Sequence, residues 1–303
     1  MPLLHFAHII NPVNAPQGTE LHQVQPLVFS SMQVAQEQAN EVPVDLLAVC
    51  FPEDEPIVPP CFTLLPFLTR SVLDVKGIKS TKKLPFIKDI LEALAANTDA
   101  EYLIYTNADI ILQPYFYQVA AAYINQGHDA LIINRRRIAP IYDSLDQLPL
   151  IWAQTGNPHP GYDCFVFHRS LLNKFVLSDI ILGTPFIEAT LAHNVFAHSQ
   201  NYLLLDHHHL TAHLGMEVMP KRNEELYWHN RNAFFKTVLP ALKPYLSDQK
   251  LPYASDSWIG KQLRRVLNPA IFTSLSVELE GKSKAEKIKW YLNELRWTFL
   301  GKR

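Results

Sequence analysis

Through the first two thirds of the chain, apolar runs of strand length alternate with longer stretches whose apolar residues recur at helical spacing. That alternation predicts a layered α/β sheet. Residues 4–10 read as a first strand, 21–39 as a helix and 44–50 as a second strand. The acidic, proline-rich segment 52–60 reads as a loop, because proline cannot donate to a strand ladder. Residues 62–68 suit a further short strand, and 83–95 a helix. The segment 102–106, apolar on both faces, is the predicted central strand. Pro114 suits the first position of a helix running to Ile124. A strand at 130–134, a loop with Arg135, Arg136 and Arg137, a strand at 163–167, a helix at 185–197 and a strand at 202–206 complete the series.

From about Lys221 the chain becomes aromatic and helical, interrupted at Pro240, Pro244, Pro252 and Pro269. This divides it into an α/β domain, residues 1–220, and a helical extension, 221–303, packed on it. Residues 259–303 carry ten Lys and Arg against four Glu, a charge of +6 that leaves −8 for the rest. Within them, 285–300 fits an amphipathic helix with Ile288, Trp290, Leu292, Leu295, Trp297 and Phe299 as apolar members. Its apolar side can rest on the main domain or on an anionic membrane surface.

A length of 303 residues, 48% hydrophobic, is ample for a core. The net charge of −2 and the low charged fraction of 18% argue against a nucleic-acid coat. No apolar run is long enough to span a bilayer, and residues 1–12 lack the features of a secretory signal. Cys50, Cys61 and Cys164 form no CxxC pair, so a reducing, cytoplasmic setting is expected, peripheral to the membrane if the basic helix docks there. Familiar motifs fail one by one. The ten glycines contain no GxG pair for a dinucleotide fold, and Gly156 and Gly161 are followed by Tyr162 and Asp163 where a phosphate loop needs Lys and Ser or Thr. His209 and His213 form HxxxH, but Leu210 occupies the place of a zinc protease's glutamate.

The segment 101–117, EYLIYTNADIILQPYFY, is the most informative. A buried strand ends in Thr106, Asn107 and Asp109, and in open α/β sheets ligands bind beyond the carboxyl ends of strands. On extended chain Asn107 and Asp109 point to one side, where an amide oxygen and a carboxylate suit Mg²⁺ or Mn²⁺ with phosphate oxygens. An Asx turn capping the next helix would use the same residues. Asp163 opens an apolar strand and must be paired with an arginine or be functional, since burying a lone carboxylate is costly. His207, His208, His209 and His213 crowd near a strand end, where they either ligate a metal or bond to backbone and solvent.

These residues resemble those of nucleotide-diphospho-sugar transferases of the glycosyltransferase A (GT-A) type, whose DxD motif ends a central strand. Asn107-Ala108-Asp109 is similar to that motif in an NxD form. A bacterial branch offers four landmarks in order: here Thr106 to Tyr117, Ile133 to Arg136, Gly161 to Phe167, and His209 to Gly215. The resemblance spans roughly residues 4–215. It implies a three-layer α/β fold with a mixed, mostly parallel sheet, followed by the C-terminal helical extension.

The same resemblance implies transfer of a sugar from a nucleotide-diphospho-sugar to a hydroxyl acceptor, glycan or lipid-linked, aided by Mn²⁺ or Mg²⁺. It places Asp163 near the acceptor, to hydrogen-bond a sugar hydroxyl or, if the enzyme inverts, to act as general base. It makes Asp109 and His213 metal ligands, with His209 as second choice. Asn107, Arg70, Lys83 and Arg135 are then expected around the nucleotide-sugar, the cations converging on its diphosphate, and Asn11 beside the nucleobase and ribose. Two rival functions stand beside this one: a non-catalytic nucleotide-sugar-binding or interaction protein, suggested by Asn107 in place of the first Asp, and a metal hydrolase built on the histidines.

Overall fold

The computed structural model describes residues 4–159, 161–216, 223–247, 249–252, 257–260, 269–279 and 281–300. Its strands are β1 (Phe6–Ile10), β2 (Val44–Ala48), β3 (Thr63–Leu64), β4 (Tyr102–Thr106), β5 (Ile111–Leu112), β6 (Ala130–Ile133), β7 (Arg135–Ile138), β8 (Asn157–Pro158), β9 (Cys164–His168), β10 (Tyr202–Leu205) and β11 (Thr211–Leu214). Its α-helices are α1 (Glu20–Glu37), α2 (Ile87–Ala96), α3 (Phe116–Asn125), α4 (Leu148–Ala153), α5 (Arg169–Leu172), α6 (Ile187–His198), α7 (Glu224–Ala233), α8 (Leu239–Leu242), α9 (Pro269–Ser276) and α10 (Lys284–Leu300).

Seven strands form the main sheet in the order β10-β6-β9-β4-β1-β2-β3. All are parallel except β9, which runs antiparallel to both β4 and β6. Because both faces are covered, successive residues of one strand enter different cores. Ala7 and Ile9 of β1 join α2, α6 and the C-terminal helices, whereas Phe6 and Ile10 join α1 and α3. This is why the central strands read as unbroken apolar runs. A small second sheet, β5-β11-β7-β8, sits at the edge of the second layer.

Three expectations are corrected. Arg135–Ile138 is a strand and not a loop, since β11 and β8 pair with it on either side. Two of its arginines reach backbone carbonyls: Arg136 donates to Thr155 and Gly156, each at 2.7 Å, and Arg137 to Met216 at 2.6 Å. Helix α3 starts at Phe116, two residues after Pro114, because Phe116 N first closes a turn on Gln113 O. Of the 62–68 run only Thr63 and Leu64 pair with β2, and Pro66 has no N–H with which to continue the ladder.

The C-terminal helices share the core of the main sheet. Tyr227, Phe234, Val238, Leu242, Ile271, Leu275 and Trp290 belong to the same buried cluster as β1, β4 and α6. Glu278 binds these helices together: one carboxylate oxygen accepts from Tyr227 Oη at 2.6 Å and Arg231 Nε at 3.0 Å, the other from Trp290 Nε1 at 2.8 Å. The expected boundary at 220/221 and the side chains of Leu295, Trp297 and Phe299 lie outside the described residues.

Candidate active site

The carboxyl ends of β4 and β6 open into a cleft of about 820 Å³, walled by Asn107, Asp109, Arg135, Asp163, Glu188 and His213 among others. The Tyr105 hydroxyl donates to Asn107 Oδ1 at 2.7 Å and fixes that amide just past β4. The chain then turns into β5, which pairs antiparallel with β11 through Ala212 and Ile111. The next step of this ladder carries His213 toward Asp109. Its Nε2 lies 3.3 Å from Asp109 Oδ2 and 3.6 Å from Glu20 Oε1 at the start of α1. Burial alone would raise the Asp109 pKa, but the hydrogen bond and charge of His213, with Arg135 nearby, outweigh it and hold the carboxyl below its usual value. Asp109 Oδ1 and His213 Nδ1 are buried without a hydrogen-bond partner.

A second pair lies beside the first. Antiparallel pairing of Ile133 with Cys164 brings Arg135 alongside Asp163, and Nη1 meets Oδ1 at 2.6 Å. Both side chains are largely buried, at 13% and 2% exposure, so each charge depends on the other. Burial nonetheless prevails over the arginine and raises the Asp163 pKa, with Asp109 adding to the effect. Arg135 Nε and Asp163 Oδ2 have no hydrogen-bond partner.

The third element, Glu188, was not anticipated. It lies in the first turn of α6, and its Oε2 accepts from Tyr162 N at 3.1 Å. Gly161 permits this approach: a Cβ there would collide with the Glu188 carboxylate and with His159 Nε2. Burial, with the Asp163 carboxylate alongside, pushes Glu188 up to about 8. One ligand atom each from His159, Asp163 and Glu188 lie within 4.8 Å of one another. The Arg135 guanidinium already occupies this cluster and repels a further cation, and burial together with Arg135 and Arg137 drives the His159 pKa strongly down. Asp109 and His213, each with a buried donor atom lacking a hydrogen-bond partner, are the better fit for a divalent ion.

Only some of the anticipated residues meet here. Asn107, Asp109, Arg135, Asp163 and His213 line the cleft; Asn11, Arg70, Lys83 and His209 do not. The expected convergence of three cations is therefore corrected, because two of them have closer carboxylates. Arg70 bonds Asp89 at 2.6 Å and Asp179 at 3.1 Å, and Lys83 bonds Glu53 at 2.8 Å. Asn11 is spent on tying β1 to the end of β2, donating to Val49 O at 2.8 Å. His209 sits in a left-handed turn, φ 51°, before β11 and approaches Gln113.

No family model and no curated protein matches the sequence. Solved structures do match the fold. S. aureus TarS (residues 1–349) in complex with UDP-GlcNAc superposes with a TM-score of 0.50 at 11% identity, covering 97% of this chain and 81% of that one. The chain has the GT-A fold. TarS without ligand gives the same score at 12% identity and the same coverage. Glucosyl-3-phosphoglycerate synthase from Mycobacterium tuberculosis, in complex with Mn²⁺, UDP and its product, gives 0.47 at 14% identity over 79% of this chain and 80% of that one.

Of the acidic and histidine residues that line the cleft, Glu20, His159 and Glu188 are not singled out by the sequence. Glu188 carried the same signal as Asp163, being the one acidic residue in the apolar run Ile187–His198. His159 stands next to Pro158 in an irregular stretch, and no periodicity marks it.

Proposed function

We propose that this chain is a glycosyltransferase that moves a sugar from a nucleotide-diphospho-sugar to a hydroxyl acceptor. The observation that carries the reading is the meeting of Asp109 and His213 beside Arg135, in a GT-A cleft at the end of the central strand. Asp109 and His213 would hold a divalent ion, Mn²⁺ or Mg²⁺, which when bound offsets negative charge on the departing nucleoside diphosphate. The imidazole favours Mn²⁺, as a softer ligand than oxygen. Asn107 would offer its amide to the same region, and Arg135, whose Nε has no hydrogen-bond partner, would meet the donor phosphates.

The acceptor oxygen must form a bond to the anomeric carbon as the bond from that carbon to the diphosphate oxygen breaks, and its proton needs a base. Asp163 and Glu188 are the two carboxylates on that side of the cleft. Asp163 is held by Arg135, whereas Glu188 accepts from a backbone amide and burial pushes its pKa up to about 8. Glu188 is therefore the general base in this reading, with Asp163 holding Arg135 in place.

A UDP-sugar is the first donor to test, since TarS binds UDP-GlcNAc on the same fold. A glycan or lipid-linked acceptor fits the outer side of α10, where Ile288 and Leu292 are 61% and 60% exposed and Lys287 and Lys289 flank them on a helical projection. Peripheral contact with an anionic membrane would then bring acceptor and cleft together. Among the described residues no helix is long and apolar enough to cross a membrane.

A thermal-shift screen of UDP- and GDP-sugars with Mn²⁺, followed by an assay of released nucleotide, tests the proposal. Stabilisation with turnover is expected. Stabilisation without turnover would favour a binding protein, and neither would end the reading.

A further inference from the structure

Glu188 enters the cleft from a segment that the C-terminal helices hold. Residues 181–186 lead into α6, and Asn230 of α7, fully buried, grips both ends of this stretch. Its Oδ1 accepts from Ile181 N at 2.8 Å, while its Nδ2 donates to Ile181 O at 2.9 Å and Pro185 O at 3.0 Å. Phe186 follows in the left-handed conformation, φ 82° and ψ 0°, which a bulky side chain adopts only when its surroundings impose it. Those surroundings belong to the extension. The Phe186 N–H donates to Ser274 Oγ of α9 at 3.1 Å. Its ring is wholly buried, 5.5 to 5.7 Å from the rings of Tyr227, Phe234 and Phe235. Two residues further on, Glu188 meets Tyr162 N. Thr273, Ser274 and Val277 also line the cleft.

We propose that the C-terminal extension, through Ser274 and Asn230, sets the position of the Glu188 carboxylate, so that these two are positioning residues of the transfer site. If Phe186 relaxed to the right-handed region, the backbone ahead of Ile187 would rotate and carry the first turn of α6 away from Tyr162. The hydroxyl of Ser274 accepts the Phe186 N–H, and the asparagine fixes the carbonyl before it. The extension is thus a wall of the active site and the clamp on its base.

The catalytic half of this inference rests on the proposed transfer reaction; the structural half does not. Ser274→Ala, the mild variant, removes the acceptor for Phe186 N, and Ser274→Thr restores a hydroxyl. Hydrogen exchange in Ser274→Ala should rise at least about tenfold for amides 186–188 while β4 keeps its protection. In the transfer assay kcat should fall roughly ten- to a hundredfold with the donor KM held within about twofold, since geometry and not donor binding is lost. Ser274→Thr should recover both. Asn230→Asp, which keeps size and acceptor but loses both donated bonds, should act in the same direction. Unchanged protection at 186–188 would overturn the proposal, and so would raised exchange with unchanged kcat, or a fall in kcat matched by an equal rise in donor KM. If the wild-type chain releases no nucleotide from any donor, the transfer reading fails, while the exchange data still decide whether the extension holds this segment.

Discussion

His213 Nε2 lies 3.3 Å from Asp109 Oδ2, although a third of the chain separates the two residues. With the proton between them lost, two ligands of one divalent ion, each bonded at ~2 Å, would stand at about this separation. Because Asp109 is the one charged ligand of the proposed pair, Mn²⁺ should bind weakly alone and much more tightly with UDP or GDP. Calorimetry with and without nucleotide checks this. Asp109→Ala should abolish the nucleotide-dependent gain and His213→Ala should reduce it; equal affinities in both variants would remove these residues from the metal site.

Arg135 and Asp163 neutralise each other in a nearly dry setting. Arg135→Ala should cost about 3 to 5 kcal/mol of stability, because it strands a buried carboxylate. Adding Asp163→Asn should recover part of that loss. Urea unfolding of the single and double variants measures it, and full additivity would contradict the pairing.

Glu188 gives a pH signature. As a base it works only when ionised, so transfer should rise with pH and level off above about 8, and Glu188→Gln should lose the rise along with roughly two or more orders of magnitude in rate. Stability should move the other way. A carboxyl whose pKa is higher in the folded than in the unfolded chain stabilises the fold at low pH, and that contribution declines as pH climbs from the ordinary carboxylate range through 8. A rate profile flat between pH 6 and 9 would exclude Glu188 as the base.

Arg70 and Lys83 stand away from the cleft lining in carboxylate contacts of their own. Arg70→Ala and Lys83→Ala should therefore change the donor KM by less than about twofold. Arg135→Ala should weaken free nucleoside diphosphate by about 1.5 to 3 kcal/mol. A large KM effect from Lys83→Ala would show that the donor reaches further along the sheet than the cleft.

The layers of the fold were legible because buried parallel strands leave long apolar runs such as Tyr102–Thr106, and because Asn107 and Asp109 break that run where a ligand belongs. What was not legible came from pairing partners far along the chain. Arg135 to Arg137 look like a solvated loop until β8 and β11 flank them, and Arg70 looks free until Asp89 and Asp179 are placed beside it. Asp163 precedes its strand whereas Asn107 follows its own, and both reach the same cleft only because β9 runs against its neighbours. That reversal has no local signature. His209 and His213 are alike in sequence, and only the β5–β11 register separates them.

The main sheet takes its last strand from Tyr202–Leu205, yet the cleft takes a wall from Thr273 and Ser274. At roughly 5–20 residues per second, a chain emerging from the ribosome completes its sheet several seconds before it completes its cleft. Throughout that interval Phe186 has no cage, and its ring and the neighbouring face of α6 are open to solvent or to a chaperone. The newborn chain therefore closes its sheet before it can close its core or its cleft.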